Sequence, residues 1–354
     1  MDLTDFDFEL DDKSIALSPV YPRDTSKLLY LDKNNHHEDL FFNNLPDLLQ
    51  EGDTIVLNET KVIPSYFECI KSRGQNKSKI SLNLIEKVRS DEWLVLLKPK
   101  RRVKVNDKII FCDKDKINAE VVSFEYGEHV KIRFNKSIND LDNWIIDNGI
   151  TPLPHYITSK RKADDSDKTS YQTVYAKKNG SVAAPTAGLH FTDDLLKKIS
   201  QKGINLCKVI LHVGSGTFLP IKKDNIFEHK MHSEWIELSK STAKILNKTK
   251  ENSKRVIAVG TTSMRVLETV AQKDGIFREY KGKTNIYITP GHEFKGVDVL
   301  VTNFHLPKSS LFILVSAFYG LENIKRAYKH AMNNKYRFFS YGDACVIEKM
   351  NNDL

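Results

Sequence analysis

Short runs of alternating apolar and polar residues dominate the chain between residues 65 and 150. Turn-forming residues such as Gly74, Asn106 and Gly127 separate these runs. An alternation with a period of two is typical of half-buried strands, and several strands at this spacing predict a small all-β barrel. The alternating runs lie at 80–85, 93–97, 108–111, 119–124 and 130–134.

From about residue 180 onward, apolar strands alternate with helical patterns. Apolar runs at 208–213, 256–259 and 297–301 are each followed by a loop, and 54–57 predicts an earlier strand. This alternation predicts an α/β fold. We therefore predict a discontinuous α/β catalytic domain, with a mostly parallel or mixed sheet and flanking helices, into which the barrel is inserted. The predicted ranges are 1–64 and 151–354 for the α/β domain and 65–150 for the β-barrel domain.

The stretch 180–192 consists of small and uncharged residues with a single histidine, His190. Thr192 is a suitable N-cap for a helix that begins at Asp193 and carries Leu195 and Ile199 on its apolar stripe. His190 is therefore expected just ahead of a helix N-terminus, where free N–H groups favour ligand binding. The alternative is a tight structural turn with a hydrogen-bonded histidine.

Polar side chains follow the three later strands, at the point where each strand ends. His212 and the glycines Gly214 and Gly216 end the first, a helix with Thr261 and Thr262 follows the second, and 302–307 follows the third. Ligands of open α/β sheets bind beyond the carboxyl ends of the strands. A single histidine there is more often structural, but His190, His212 and His305 in three converging loops indicate a catalytic site.

Two further groups of polar residues allow more than one interpretation. Arg265 and Glu268 are three residues apart on one helix and share a face, either as a surface ion pair or as a polar clamp on a nucleoside or carboxylate. His229, His232 and Glu234 resemble metal ligands, but no third cluster supports them. Acid–base work or nucleoside contacts by His232 and Glu234 are favoured over a metal site.

The composition favours an intracellular protein with a polyanionic partner. Lys and Arg number 54 against 46 Asp and Glu, an excess that suits nucleic acid but also fits a lysine-rich proteome. The four cysteines are far apart and form no CxxC pair, which fits a reducing compartment. With no signal-peptide core and no apolar run of membrane-spanning length, we expect a cytoplasmic protein without membrane contact.

Three stretches of the chain are candidate contacts to nucleic acid. The stretch 336–343 combines Arg337 with four aromatic residues, and such stretches stack on and clamp single-stranded nucleic acid, or else form buried core. Basic runs at 98–102 and 160–162 are candidate phosphate contacts, although each alone is more often a solvated surface.

Many long blocks, in order along the chain, match one known family. They are 5–10, Arg23 with Asp24 and Ser26, 171–176, 180–192, 212–218, 231–234, 259–263 with Arg265 and Glu268, 290–291, 297–307, 314–318 and 336–343. On these residues the chain resembles the S-adenosylmethionine:tRNA ribosyltransferase-isomerase family of queuosine biosynthesis. The resemblance implies a discontinuous α/β domain with an inserted β-barrel. It also implies S-adenosylmethionine as co-substrate, with no metal.

The activity implied by the resemblance is transfer and isomerisation of the ribosyl part of S-adenosylmethionine onto tRNA. The acceptor is 7-aminomethyl-7-deazaguanine at the wobble position, and the products are epoxyqueuosine-tRNA, adenine and methionine. The expected partners are therefore S-adenosylmethionine and a tRNA that carries this base, and the protein is expected to be a monomer.

The residue patterns and the resemblance together give three sets of candidate site residues. The candidate catalytic residues are His190, His212, His232, Glu234, His305 and Asp343. The candidate contacts to S-adenosylmethionine are Thr186, Gly188, Gly214, Gly216, Thr261, Thr262, Arg265, Glu268 and Asn303. The candidate nucleic-acid contacts are Arg23, Lys27, Lys61, Lys100, Arg101, Arg102, Arg337 and Tyr341.

The chain departs from the family pattern at five positions. Asp11 and His155 stand in place of prolines, Leu17 in place of a glutamine, and Lys27 and Lys61 in place of arginines. Lysine lacks the bidentate fork with which arginine binds phosphate, so these two substitutions change the expected phosphate contacts. None of the departures falls in the histidine loops.

Two other functions compete with ribosyl transfer. An RNA methyltransferase uses the same co-substrate, but the usual glycine-rich fingerprint after the first strand, with its downstream acidic residue, is missing. A non-catalytic RNA-binding module fits the basic charge and the barrel, but it leaves three histidine loops at one end of a sheet unexplained.

Overall fold

The computed structural model describes residues 1–111, 117–125, 128–136, 138–214, 221 and 223–350, and for 138 and 139 the backbone alone. The chain forms two compact units. The first comprises Met1–Lys61, Ser170–Lys178 and Ala184–Leu354, and the second comprises Val62–Thr169 and Asn179–Ala183.

Seventeen strands and eight α-helices are formed by the described residues. The strands are β1 (Lys27–Leu31), β2 (His37–Phe41), β3 (Thr54–Asn58), β4 (Thr60–Val62), β5 (Tyr66–Arg73), β6 (Asn76–Lys87), β7 (Glu92–Lys98), β8 (Lys108–Phe111), β9 (Asn118–Phe124), β10 (His129–Phe134), β11 (Lys178–Ser181), β12 (Asn205–His212), β13 (Glu234–Leu238), β14 (Val256–Val259), β15 (Tyr280–Thr284), β16 (Val299–Asn303) and β17 (Ala344–Glu348). The helices are α1 (Ile138–Asn148), α2 (His155–Thr158), α3 (Asp167–Ser170), α4 (Asp193–Gln201), α5 (Lys240–Glu251), α6 (Gly260–Ala271), α7 (Ser310–Tyr319) and α8 (Leu321–Asn333).

A nine-stranded mixed sheet forms the centre of the first unit, in the order β15-β13-β12-β3-β14-β16-β17-β1-β2. The four strands β12, β3, β14 and β16 are parallel neighbours. β13 is antiparallel to β12, and β17 is antiparallel to β16 but parallel to β1. The predicted α/β fold with a mixed sheet and an inserted barrel is thus confirmed.

Burial along the strands explains their positions in the sheet. Every residue of β3, β14 and β16 is buried, as expected for central strands that helices cover on both faces. The outermost strand β2 is instead mostly exposed and carries the charged residues Glu38 and Asp39. Charged side chains on an edge strand discourage pairing with another chain.

Helix α4 shows how local sequence sets the ends of an element. The Thr192 hydroxyl accepts a hydrogen bond from the Leu195 N–H, at 3.2 Å, and Asp193 and Asp194 occupy the first turn. Leu195 and Ile199 are buried, as the apolar stripe predicts. Within the described part of the chain, no helix has both the length and the apolar character needed to cross a bilayer.

Six antiparallel strands of the second unit close into a barrel, in the order β10-β7-β6-β5-β8-β9. Alternate residues of these strands point inward, so the barrel core consists of residues such as Leu82, Val95 and Ile132. Trp144 of α1 stacks on Phe67 with ring centroids 5.2 Å apart and planes at 4°. The helix that follows the last barrel strand therefore contributes to the barrel core.

Element boundaries differ from the sequence expectations by a few residues. The strand expected at 208–213 spans Asn205–His212, the one expected at 297–301 spans Val299–Asn303, and the helix expected near Thr262 begins at Gly260. The unit boundaries also differ from the predicted domain ranges, because 62–64, 151–169 and 179–183 lie in the second unit. In this unit Ile150 exchanges backbone hydrogen bonds with Tyr66, and Ile63 donates its N–H to Ser181.

Candidate active site

Strand ends that carry polar side chains meet at one end of the nine-stranded sheet, which we call the loop end. The parallel strands β12 and β16 finish there with His212 and Asn303. The antiparallel strand β13 begins there with Glu234, and β17 begins there directly after Asp343. Because of these strand directions, residues far apart in sequence collect at one end of the sheet.

His190 occupies the last position of a short 3-10 turn, Thr186–His190, and three side chains fix its ring. Its Nδ1 lies 2.8 Å from the Ser26 hydroxyl, and its Nε2 lies 3.1 Å from Nδ2 of Asn303. The ring of Phe42 stacks on the imidazole, with centroids 4.9 Å apart and planes at 27°. The imidazole is therefore held in one orientation.

His190 is neutral over the physiological pH range. Burial lowers the pKa of its imidazole to about 4, even though the nearby Asp343 carboxylate acts in the opposite direction. A neutral imidazole has one N–H donor and one acceptor nitrogen. The contacts to Ser26 and Asn303 therefore engage both ring nitrogens, one as donor and the other as acceptor.

A small pocket opens beside His190. Its lining includes Arg23, Leu189, Arg337 and Tyr341 as well as the histidine itself. The guanidinium of Arg23 is held by the Gln172 carbonyl, at 2.8 Å, and burial lowers its pKa. Arg23 places a guanidinium beside the neutral imidazole, whereas Arg337 is ion-paired with Asp343, so the pocket favours an electron-rich ligand.

Asp343 holds the loop that forms the far wall of this pocket. Its carboxylate accepts the backbone N–H of Arg337, at 2.8 Å, and the N–H of Lys27, at 3.2 Å. It also accepts from Nη2 of Arg337, at 2.9 Å. With only 2 % of its surface exposed, Asp343 acts on the pocket through Arg337 and the loop.

A buried ion pair forms a second polar centre at the loop end. Glu234 and Arg265 are both 5 % exposed, and Nη1 of Arg265 donates to the Glu234 carboxylate. The same carboxylate accepts the N–H of Gly214, at 3.0 Å, and Nε of Arg265 lies 3.4 Å from the Ile286 carbonyl. Glu234 thus connects the loop after β12 to α6.

Glu268 does not pair with Arg265, although the two share a helix face. Its buried carboxylate accepts the N–H groups of Lys295 and Gly296, at 3.1 and 2.9 Å. The Nε2 of His292 lies 3.4 Å away. Arg265 and Glu268 therefore form no ion pair with each other, and their role as a polar clamp on a ligand stays a prediction.

The other candidate histidines have different surroundings. His212 contacts the Thr60 hydroxyl through Nδ1, at 2.8 Å, and burial lowers its pKa. His305 contacts the Thr302 hydroxyl through Nε2, at 2.9 Å, and burial lowers its pKa to about 3. His232 is exposed, two residues before Glu234. Three candidate bases are therefore buried or partly buried and neutral at pH 7, with His190 beside the pocket.

Among the candidate contacts to S-adenosylmethionine, four lie on two short segments, the His190 turn and the first turn of α6. Thr186 and Gly188 belong to the His190 turn, and Gly188 packs so closely on Tyr175 that a Cβ there would lie 2.0 Å from the tyrosine hydroxyl. Thr261 and Thr262 form the first turn of α6. Gly216 lies outside the described residues. In the described part of the chain, no group of three or more His, Cys, Asp or Glu is placed to hold a metal ion.

The candidate nucleic-acid contacts fall in both units. In the first unit, Arg23 and Arg337 line the pocket, Lys27 donates to the Asn334 carbonyl at 2.7 Å, and Lys61 is exposed. Tyr341 is 3 % exposed and its ring packs edge-on against Tyr171, so it belongs to the core as well as to the pocket wall. In the second unit, the three basic residues form a short 3-10 helix: Lys100, Arg101 and Arg102.

Several residues that hold the site carry no role that the sequence pattern predicts. Ser26 and Phe42 fix the His190 ring, Thr60 binds His212, and Tyr175 packs against Gly188. Ser26 and Tyr175 stand in blocks that carry the family resemblance, which is the one signal that singled them out. Phe42 and Thr60 had no distinguishing pattern.

Comparison with known proteins identifies the family. The profile of the family described as "Queuosine biosynthesis protein" matches residues 3–347. An S-adenosylmethionine:tRNA ribosyltransferase-isomerase of Brucella anthropi is 48 % identical over 97 % of this chain and 96 % of its own. The enzyme of the same name from Brucella ovis is 48 % identical and covers 98 % of both chains.

A solved structure belongs to a protein of similar name and has a similar fold. The crystal structure of an S-adenosylmethionine tRNA ribosyltransferase from Thermotoga maritima superposes with a TM-score of 0.55 at 33 % identity. The match covers 97 % of this chain and 99 % of the Thermotoga chain. By sequence over nearly its full length and by fold, the chain belongs to the queuosine biosynthesis protein family.

Proposed function

We propose that this protein is an enzyme that transfers and isomerises the ribosyl moiety of S-adenosylmethionine onto tRNA. The acceptor is 7-aminomethyl-7-deazaguanine at the wobble position, and epoxyqueuosine-tRNA, adenine and methionine are the products. Relatives that carry this activity in their names, at 48 % identity over almost the whole chain, support the proposal. S-adenosylmethionine is consumed as a co-substrate.

The observation that carries the proposal at the level of the site is the environment of His190. This imidazole is 5 % exposed, neutral, and fixed by Ser26 and Asn303 at the wall of a pocket that contains two arginines. At pH 7 this imidazole is in the unprotonated form that a general base requires, and a fixed orientation lowers the entropy lost on reaching the transition state.

The reaction requires three proton-transfer functions. The sulfonium acidifies the adjacent 5′ carbon of the ribose, and a base must remove that proton. Adenine is a poor leaving group as an anion, so an acid should protonate it as it departs. The attacking amine of the acceptor base must be neutral, which a nearby base or a low-dielectric surrounding favours. Methionine leaves as a neutral thioether and needs no such help.

We assign the base and acid roles to the histidines of the loop end. His190 is the first candidate because it lies beside the pocket, and the remaining candidates are His212, His232 and His305. Glu234 and Asp343 act as supporting carboxylates, the former through Arg265 and the latter through Arg337. The co-substrate contacts proposed from the sequence, Thr261, Thr262 and Arg265 among them, lie at the start of α6.

The tRNA contacts are proposed on both units. Arg23 and Arg337 line the pocket where the reactive base is expected, and phosphate contacts by Lys27 and Lys61 accompany them. Lys100, Arg101 and Arg102 provide a basic segment on the barrel unit, which suits a longer phosphate backbone. The net charge of +8 supports a polyanionic partner.

A label-transfer assay tests the activity directly. S-adenosylmethionine labelled either in the ribose or in the methyl group is incubated with the protein and tRNA bearing the aminomethyl-deazaguanine base. Ribose label in the tRNA with release of free adenine is the expected result. Methyl label in the tRNA would instead establish a methyltransferase. Binding of tRNA without transfer of either label would establish a binding module.

We also propose that the protein works as a monomer in the cytoplasm. The far-apart cysteines support a reducing compartment, and Cys69, Cys207 and Cys345 are buried free thiols. Light scattering at micromolar concentration, with and without tRNA, tests the monomeric state through the measured mass.

A further inference from the structure

The N-terminus of α6 lies at the loop end, and its N-cap residue provides no capping side chain. The helix has 12 residues, begins directly after β14, and Val259 at the N-cap position makes no side-chain capping bond. No acidic residue occupies its first turn. Since the first N–H groups of a helix lack intrahelical acceptors and carry a partial positive charge, this terminus favours an anion.

Two polar atoms on the same face of α6 have no hydrogen-bond partner among the described residues. They are Oγ1 of Thr262 and Nη2 of Arg265, and both atoms are buried. Residues three apart share a helix face, and long helical side chains lean back toward the N-terminus. The Thr262 hydroxyl lies 3.3 Å from the position that a Cβ on Gly260 would take, so it lies over the first residue of the helix.

The protein orients the Arg265 side chain but leaves its Nη2 donor without a hydrogen-bond partner among the described residues. The Glu234 carboxylate accepts a hydrogen bond from Nη1 of Arg265, and the Ile286 carbonyl lies near Nε. Arg265 as a whole is 5 % exposed. Leaving a buried polar atom without a partner destabilises a protein by about 1–3 kcal/mol, so a bound ligand or an ordered water is expected to satisfy such an atom. Because Glu234 already balances the guanidinium charge, the site provides donors for one negative charge rather than for a phosphate dianion.

The start of α6 is close to the His190 turn. A Cβ on Gly260 would lie 3.8 Å from the Cβ of Ala187, three residues before His190. Gly260 has φ +84°, a conformation that favours glycine, and this allows the chain to turn directly from β14 into the helix. A ligand anchored at this terminus by one end is able to extend toward His190 with its other end.

We propose that the α-carboxylate of the methionyl group of S-adenosylmethionine binds at the N-terminus of α6, held by the Thr262 hydroxyl, Nη2 of Arg265 and the first backbone N–H groups. This inference rests on the proposed function, because it takes S-adenosylmethionine as the ligand. A carboxylate is a monoanion with acceptor oxygens only, which matches a set of donors whose arginine is already charge-balanced.

The test compares S-adenosylmethionine with its decarboxylated analogue, S-adenosyl-3-methylthiopropylamine, by calorimetry on the full chain. The wild-type protein should bind S-adenosylmethionine at least about 10-fold more tightly than the analogue, as expected for the loss of charge-assisted hydrogen bonds. Thr262→Val, which keeps the side-chain shape, should lower the affinity for S-adenosylmethionine by about 5-fold and leave the affinity for the analogue unchanged.

Thr269→Val is the matched control, because the Thr269 hydroxyl on the same helix already bonds the Arg265 carbonyl and Thr284. This variant should retain the wild-type preference for the carboxylate. The inference would be overturned, while the proposed function stands, if the wild-type protein bound both ligands with equal affinity. The same holds if Thr262→Val lowered the affinity for both ligands by the same factor. If the wild-type protein bound neither ligand, with or without tRNA, the proposed function would fail as well.

Arg265→Lys gives a second, independent readout. Lysine keeps the charge beside Glu234 but removes the guanidinium fork, so the preference for S-adenosylmethionine over the analogue should shrink. Circular dichroism and the urea midpoint establish that each variant is folded before its binding is compared. A preference that survives intact in folded Arg265→Lys contradicts the assigned role of Nη2.

Discussion

The hydroxyl of Ser26 lies 2.8 Å from Nδ1 of His190, and 164 positions separate the two residues along the chain. Ser26 directly precedes β1, whereas His190 ends the turn before α4. Together with Asn303 on the other ring nitrogen, this contact determines which nitrogen carries the proton. The reactivity of His190 therefore depends on a residue that does not line the pocket.

Ser26→Ala should lower kcat about 10-fold and leave the KM for S-adenosylmethionine nearly unchanged. The reason is that the imidazole loses the partner of Nδ1 and samples a second tautomer, a loss of about 1–2 kcal/mol in the transition state. Steady-state kinetics with saturating tRNA measure both constants. Ser26→Thr, which keeps the hydroxyl, should restore most of kcat. An unchanged kcat in Ser26→Ala contradicts the positioning role.

His190→Ala and His212→Ala test the catalytic assignment itself. Loss of a general base or acid reduces turnover by about 10²–10⁴-fold. We expect His190→Ala to fall within this range in the label-transfer assay, with S-adenosylmethionine still bound. Turnover close to wild type in both variants would mean that the assignment of these histidines is wrong.

Gly188→Ala should destabilise the first unit because of a clash with Tyr175. A Cβ at position 188 would lie 2.0 Å from the Tyr175 hydroxyl and 2.9 Å from Cγ2 of Thr173. We expect a loss of about 1–3 kcal/mol in the free energy of unfolding, measured by urea denaturation. Tyr175→Phe alone should be nearly neutral, because the buried hydroxyl has no partner among the described residues. The double variant should recover part of the loss, and a purely additive result would exclude the clash as the cause.

Removing one partner of the Glu234–Arg265 pair should cost about 3–5 kcal/mol of stability. Both groups are 5 % exposed, so Glu234→Leu leaves an uncompensated buried cation. Glu234→Leu combined with Arg265→Met should be more stable than either single variant, because no buried charge remains. The urea midpoints of the three variants measure this coupling. Arg278→Met is the control, since its pair with Asp274 is exposed and its loss should change stability little.

Stability should fall as the pH is lowered from about 6.5 to about 4. The pKa of His190 is lowered to about 4 and that of His305 to about 3, both by burial, while an unfolded histidine titrates near pH 6.5. In this window the unfolded chain binds protons that the folded chain does not, so acid favours unfolding. Each histidine should contribute on the order of 1–3 kcal/mol. His305→Gln should flatten the decline of the urea midpoint, and an unchanged slope would show that His305 does not cause it.

Arg23→Gln should weaken tRNA binding and reduce its dependence on salt. If the Arg23 guanidinium neutralises one phosphate, the slope of log affinity against log salt should decrease by about 1. Fluorescence anisotropy with labelled tRNA at several salt concentrations measures this slope. Lys244→Gln, an exposed position on α5, is the control and should leave the slope unchanged. Neutralising Lys100, Arg101 and Arg102 together tests the barrel unit in the same way.

The sequence alone determined the elements and the class of the fold. Period-two alternation identified the barrel strands, fully apolar runs identified β3 and β14, and Thr192 with its following carboxylates marked the start of α4. These signals are local, because backbone geometry, capping and side-chain periodicity act within a few residues. The rule that ligands bind beyond strand carboxyl ends also led to the prediction that the loops of His190, His212 and His305 converge.

Only the tertiary structure decided which side chains are partners. The sequence brought Arg265 together with Glu268 on one helix face, but the fold pairs Arg265 with Glu234 and gives Glu268 to the backbone of Lys295 and Gly296. Ser26 reaches His190 because β1 and β16 flank β17 in the sheet, an order that no local pattern encodes. Strand order and burial depend on contacts between distant segments. The lowered pKa of His190 and the unpartnered donor atoms of Thr262 and Arg265 therefore arise only when those segments pack together.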